Sequence, residues 1–185
     1  METGQVADAV VRARGGDREA WAALARHHLP LVHATCRCFR LTRDDAEAVN
    51  QLVWLRLAEE LPRLRAPAAV GGWIAAVTRG ECLRVLRDRG RIVAPGDDVG
   101  THVAAPTDTG LDPGPAADAG ERELLAAFGQ LDLACQRLVR LLATDPAPGL
   151  EAVGAALDLP VGDVGPAGDR CLAQLRRALL AGGTR

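Results

Sequence analysis

The sequence predicts an all-α protein, built as two small helical domains joined by a flexible acidic linker. Three observations carry this. Aromatic residues make up 3% of the 185 residues, with no tyrosine, whereas strands favour β-branched and aromatic side chains. Apolar residues recur at three- and four-residue spacing over most of the chain, several of these runs following a capping residue. Between two such stretches, residues 93–120 hold many Gly, Pro, Asp and Thr, five acids and no arginine, with little periodicity, which is linker composition. A hydrophobic content of 48% is sufficient for real cores.

Residues 5–14 are weakly apolar, and Gly15-Gly16-Asp17 then breaks the pattern, with Asp17 as N-cap of the next helix. That helix, residues 18–38, carries Trp21, Leu24, Leu29, Leu31 and Val32, and Pro30 is expected to bend or divide it. Leu41-Thr42-Arg43-Asp44-Asp45 resembles a capping box, with Thr42 as N-cap and Asp45 three positions on, followed by a helix over residues 43–61. Val49, Leu52, Val53, Leu55, Leu57 and Leu61 make this helix apolar over much of its circumference, so a central position is expected. Glu47, Gln51 and Trp54 share a stripe on it. Spacing leaves open whether Trp54 is core or part of a protein contact surface.

Residues 62–72, with two prolines and a Gly-Gly pair, read as a connection. The next stretch, WIAAVTRGECLRVLRDRGR at residues 73–91, joins an apolar arc (Trp73, Ile74, Val77, Cys82, Val85, Leu86) to an edge bearing Arg84, Arg87 and Arg91. Its five arginines against Glu81 and Asp88 leave +3, which suits a phosphate backbone, although a solvated amphipathic helix has the same pattern.

From Glu121 helical sequence resumes through Leu124, Leu125, Phe128 and Leu131. Asp132 can cap a second helix with Cys135, Leu138, Val139, Leu141 and Leu142, ended by Pro146-Ala147-Pro148-Gly149. A short helix at residues 150–157 with Val153 and Leu157 inward, a turn at 158–162, and a last helix capped by Asp163 with Val164, Leu172, Leu175 and Leu179 packed make a helix-turn-helix pattern. The domains are thus expected at residues 1–91 and 121–185, with the linker at 92–120.

The net charge of −2 hides an asymmetry: residues 1–91 hold 15 Arg and 11 acids (+4), and residues 92–185 hold 7 Arg and 13 acids (−6). A nucleic-acid surface therefore belongs mainly to the first half. No apolar run suits a signal peptide or a membrane span, so a cytoplasmic protein with no membrane insertion is expected. An enzyme is not expected, because there is no Gly-rich phosphate loop, no paired carboxylates in a plausible pocket and no nucleophile with a defined base. No catalytic residue, cofactor or metal is assigned. The five cysteines read as buried thiols, not a disulfide framework, and His33, Cys36 and Cys38 do not converge as zinc ligands on a helix. Adjacent His27 and His28 are expected at the surface or helix edge.

Taken in order, DREAWAALARHHLPLV, DAEAVNQLVWLRL, GGWIAAVTRGECLRVLRDRGR, the acidic linker and LDLPVGDVGPAGDRCLAQLRRAL resemble a bacterial sigma factor of the extracytoplasmic-function group, in the sigma-70 family. The resemblance covers nearly the whole chain. It implies a region 2 bundle and a region 4 helix-turn-helix that direct RNA polymerase to promoters without catalysis. It places Asp45, Glu47, Gln51 and Trp54 on or near the surface that docks on the β′ clamp helices of core polymerase, with the β subunit as a further contact. The family often has an acid where this chain has Asn50, which weakens docking slightly.

By the same resemblance, Arg79, Arg84, Arg87 and Arg91 contact the minus-10 promoter element, holding phosphates or stacking on an unpaired base, while Trp73 packs. The minus-35 helix departs from the family pattern, since Gly165-Pro166-Ala167-Gly168-Asp169 stands where related sequences place basic or hydrogen-bonding residues. Arg170, Gln174, Arg176 and Arg177 remain as its DNA contacts, and weak minus-35 reading is expected. The partners implied are core RNA polymerase and promoter DNA, and the linker permits an anti-sigma factor to clamp the two domains. The alternative is a sigma-like regulator or protein-interaction module with weakened DNA reading in region 4.

Overall fold

The computed structural model describes residues 1–90 and 118–182, and the described residues form eight α-helices and no strand. The N-terminal group is α1 (Thr3–Arg14), α2 (Arg18–Cys38), α3 (Arg43–Glu60) and α4 (Val70–Asp88). The C-terminal group is α5 (Ala119–Gly129), α6 (Leu133–Leu142), α7 (Leu150–Leu157) and α8 (Val161–Gly182). The expected acidic linker lies, up to residue 117, outside the described residues.

The helix starts follow the local chemistry. Asp17 accepts from the Glu19 and Ala20 amides, Thr42 from the Asp45 amide, and Asp132 from the Cys135 amide, each satisfying N–H groups left free at a helix start. Asp118 caps α5 by accepting from the Glu121 amide. Pro30 neither divides nor ends α2, which runs through it as one helix. Two short 3-10 turns, Leu61–Arg63 and Pro67–Ala69, occupy the Pro-rich connection, and Arg14 ties that segment down by donating to the Leu61 and Leu64 carbonyls. Helix α4 starts at Val70, so Gly71 and Gly72 lie in its first turn.

Several packing expectations are corrected. Only the Val49, Val53 and Leu57 stripe of α3 is buried, and Leu55 is 58% exposed, so α3 lies at the edge of its bundle. His28 is buried, with Nδ1 3.0 Å from the Leu24 carbonyl, and burial pushes its pKa down to about 4. Neutral His28 lets α4 approach, and a side-chain carbon at Gly71 would lie 3.3 Å from His28 Nε2. Asp163 lies within α8, whose helix begins at Val161, and is not its cap. The packed face of α8 is Val164, Gly168 and Cys171 with Leu175 against it, while Leu172 is exposed.

The cysteine reading also changes. Cys36, Cys38 and Cys82 are buried free thiols, but Cys135 and Cys171 form a disulfide between α6 and α8, with Cα atoms 5.2 Å apart. Helical spacing described each cysteine's own helix correctly, yet says nothing about a partner 36 residues away.

The buried residues of both groups form one continuous core. Within the N-terminal group α2 packs on α1, α3 and α4, and within the C-terminal group α8 packs on α5, α6 and α7. Between the groups, α4 lies along α7 and α2 meets α6.

Candidate functional site

Two outward faces of the N-terminal group carry the candidate residues. On α3, Glu47 and Gln51 are exposed, and Trp54 lies one turn further on. Trp54 is half-buried: its ring packs partly against the core while its indole N–H donates to Asn50 Oδ1 at 2.8 Å. Asn50, the departure from the family pattern, thus orients the aromatic ring. Glu47 also accepts from Arg43 at 3.2 Å, one turn earlier. Asp45 is not brought to this face. Its carboxylate accepts from Thr42 Oγ1 at 2.8 Å and from Arg89 at 2.6 Å, tying the start of α3 to the end of α4. Exposed Leu55 adds an apolar element beside Gln51 that the sequence pattern assigned to the core.

On α4, the structure brings Arg84 and Arg87 together on one exposed edge. Between them and the bundle lies Glu81, which is 3% exposed and which the sequence pattern does not single out. Its carboxylate accepts from Arg84 Nε at 2.8 Å and from Arg56 of α3 at 2.7 Å. A buried carboxylate needs such partners, and here two half-exposed guanidinium groups supply them. Donating to Glu81 raises the Arg84 pKa further, and Arg84 also reaches Asp88 at 3.3 Å. Arg84 is therefore a fixed cation, with its fork oriented before any ligand arrives. The i, i+3 spacing could have signalled the Glu81–Arg84 pair, but nothing in the sequence points to Arg56.

Arg87 is exposed, and its Nε donates to the Leu83 carbonyl at 3.3 Å. Arg79 faces elsewhere and pairs with Asp158, at the end of α7, at 2.7 Å. Arg91 lies outside the described residues. Trp73 is half-buried against the core, a packing residue as expected.

On α8, Arg170 and Arg177 are exposed and Gln174 is half-buried, and helical geometry gives these three one face. Arg176 is exposed well away from that face. Gly168 is buried, and a side-chain carbon there would lie 3.0 Å from Leu142 Cδ1, so the glycine serves close packing on α6. Asp169 is exposed beside it. His33 is exposed while Cys36 and Cys38 are buried, so these residues do not converge. Cys82 donates to Cys36 with the sulfurs 3.9 Å apart, which together with burial raises the Cys82 pKa strongly.

Residues 24–92, covering α3, α4 and most of α2, match the family model of sigma-70 region 2. No curated protein matches the chain. Among solved structures, the chain is similar to CnrH in complex with the cytosolic domain of CnrY, with a TM-score of 0.58 and 17% identity, covering 96% of this chain and 98% of that one. At that identity the likeness is one of fold.

Proposed function

We propose, from the premise that this chain belongs to the sigma-70 family and is of the extracytoplasmic-function type, that it binds core RNA polymerase and directs promoter-specific initiation from the cytoplasm, without catalysis of its own. The observation that carries this reading is the region 2 match, because it spans both the α3 face and the arginine edge of α4. Residues 1–91 would act as region 2, 121–185 as region 4 and 92–120 as the linker.

On this reading the α3 face, with Glu47, Gln51 and Trp54 and with Leu55 beside them, docks on the β′ clamp helices. An aromatic and an aliphatic side chain ringed by polar groups suit such a contact. Asp45 supports the face from behind by holding Arg89. Arg84 and Arg87 meet the minus-10 strand, Arg84 pre-oriented by Glu81. Arg79, on another face of α4 and paired with Asp158, would contact DNA apart from this edge. Arg170, Gln174 and Arg177 form the minus-35 face, with Arg176 reaching phosphate only from the side. CnrH is held by the cytosolic domain of CnrY. By that likeness an anti-sigma domain is the further partner of this chain.

In vitro transcription with core polymerase and a promoter library tests the reading. Defined starts are expected, and a chain that neither binds core nor yields a specific start would overturn it. The double variant Arg84→Ala with Arg87→Ala should cut promoter opening roughly tenfold or more while leaving core affinity close to wild type, since each charge-assisted hydrogen bond is worth about 1.5–3 kcal/mol. Equal loss of both would refute the role of the edge.

A second reading, a sigma-like regulator that does not initiate on its own, is favoured by one feature: the start of α8 offers DNA a glycine packed on Leu142 and an exposed Asp169. Core binding without initiation from any promoter would select it.

A further inference from the structure

We infer that Cys36 of α2 and Cys82 of α4 form a peroxide-oxidisable dithiol site: a hydroperoxide converts the pair to a disulfide that staples the two helices together. The inference stands on the geometry of the N-terminal group and does not rest on the functional reading above.

The two sulfurs are already in contact. Cys36 lies in the last turn of α2 and Cys82 within α4, at 1% and 0% exposure, with their Sγ atoms 3.9 Å apart. A disulfide needs about 2.05 Å, so each sulfur has to move by roughly 1 Å, which is within the reach of side-chain rotation. The buried hydroxyls beside them are spent on their own helices: Thr35 donates to the Leu31 carbonyl at 2.8 Å and Thr78 to the Ile74 carbonyl at 2.7 Å. The Cys82 thiol donates across the helix interface instead, to the Cys36 sulfur. The same chain shows what such a pair becomes, since Cys135 and Cys171 are joined between α6 and α8.

The two sulfurs take different roles. Cys36 accepts the Cys82 S–H, which lowers its pKa and favours the thiolate, the form that attacks an oxidant. Cys82, the donor, stays protonated until it is called on to resolve the product. Cys38 is the competing thiol, two residues from Cys36, and residues at that spacing face different ways on a helix. Its S–H donates to the Arg137 carbonyl at 3.6 Å, and burial pushes its pKa up to about 11.

The Cys36 sulfur attacks one peroxide oxygen, the O–O bond breaks, and the departing oxygen leaves as an alcohol with the Cys36 proton, so that Cys36 becomes a sulfenic acid. The Cys82 sulfur then attacks the Cys36 sulfur, the S–O bond breaks, and the hydroxyl leaves as water with the Cys82 proton. Two electrons pass from the sulfurs to the peroxide. Burial selects this product, because a disulfide is neutral and apolar whereas further oxidation would place a charged sulfinate in the core. Entry is through the last turn of α2, since helix ends open more readily than the core they border. The bridge joins residues 46 apart and encloses all of α3, both 3-10 turns and the first part of α4. Closing a loop of that length restricts the unfolded chain and so stabilises the N-terminal group.

Hydrogen peroxide is the probe. The full chain, treated with it, unfolded and alkylated, should yield a linked pair of peptides bearing Cys36 and Cys82 in peptide mass mapping, with Cys38 alkylated. Cys38→Ala should form the bridge as wild type does, and Cys82→Ala should stop Cys36 at the sulfenic acid, which dimedone traps. The bridged wild type should survive thermolysin at least tenfold longer than the untreated chain, with Cys135–Cys171 closed in both samples. Both wild-type readouts stand without any substitution, so they decide the matter even where a variant fails to fold. Free Cys36 and Cys82 thiols after peroxide, a bridge that uses Cys38, or a sulfinate on Cys36 would overturn the site. Equal thermolysin survival of bridged and untreated chains would overturn the staple.

Discussion

Reduction of the Cys135–Cys171 bridge should lower the melting temperature by roughly 6–12 °C, a range set by about 3 kcal/mol of lost stability and about 2–4 °C per kcal/mol for a chain of this size. The bridge joins residues 36 apart and encloses α7, its turn and the first half of α8. Closing a loop of that length removes denatured-state entropy worth about 4 kcal/mol in the chain-entropy model, and measured bridges deliver about 2–4. Both sulfurs belong to buried residues, so a reductant reaches them only when the helices open. Calorimetry with and without a phosphine reductant, beside the Cys135→Ala, Cys171→Ala double variant, measures the effect. Equal melting of oxidised and reduced wild type would show that the bridge contributes nothing.

Gly154→Ala should destabilise the protein by about 1–3 kcal/mol, the usual cost of forcing added volume into a packed site. A side-chain carbon at Gly154 would lie 2.7 Å from the Leu159 carbonyl oxygen, an approach that only backbone movement can relieve. That carbonyl cannot retreat freely, because the Leu159 amide donates back to the Gly154 carbonyl at 2.9 Å. The turn after α7 is therefore folded onto the helix it leaves, and α8 starts from that turn. Gly80→Ala is the matching control. Gly80 lies inside α4 with open space where a side chain would go, so the same substitution should stabilise by about 0.5–1 kcal/mol through helix propensity alone. Chemical denaturation of both variants reads the contrast, and a neutral Gly154→Ala would show that the turn yields.

Much of the candidate site was legible because it depends on one helix at a time. The Arg84 and Arg87 edge, the packing of Trp73 and the Glu47–Gln51–Trp54 stripe follow from 3.6-residue periodicity, and the structure keeps each. Asp45 was misplaced because a residue in a first turn can serve as cap, ion-pair partner and surface group, and only the position of Arg89 selects among these. Arg79 belonged by spacing to the arginine helix, but its direction points to Asp158, 79 residues later. Leu55 was assigned to the core because an apolar side chain on an apolar helix gives no sign that its neighbours stop short of it.

What the sequence determined by itself is the helical class, the order of the helices, the starts marked by Asp17, Thr42 and Asp132, and the arginine edge. Those are local properties, set by propensity, capping and periodicity within a few residues. Only the tertiary structure decided that Glu81 is buried between Arg56 and Arg84, that Cys135 meets Cys171, that His28 is desolvated beneath Gly71, and that α7 lies on α4. Each depends on which surfaces of distant helices come together. Burial energy rewards any good apolar match, and the sequence pattern of one helix does not name its partner.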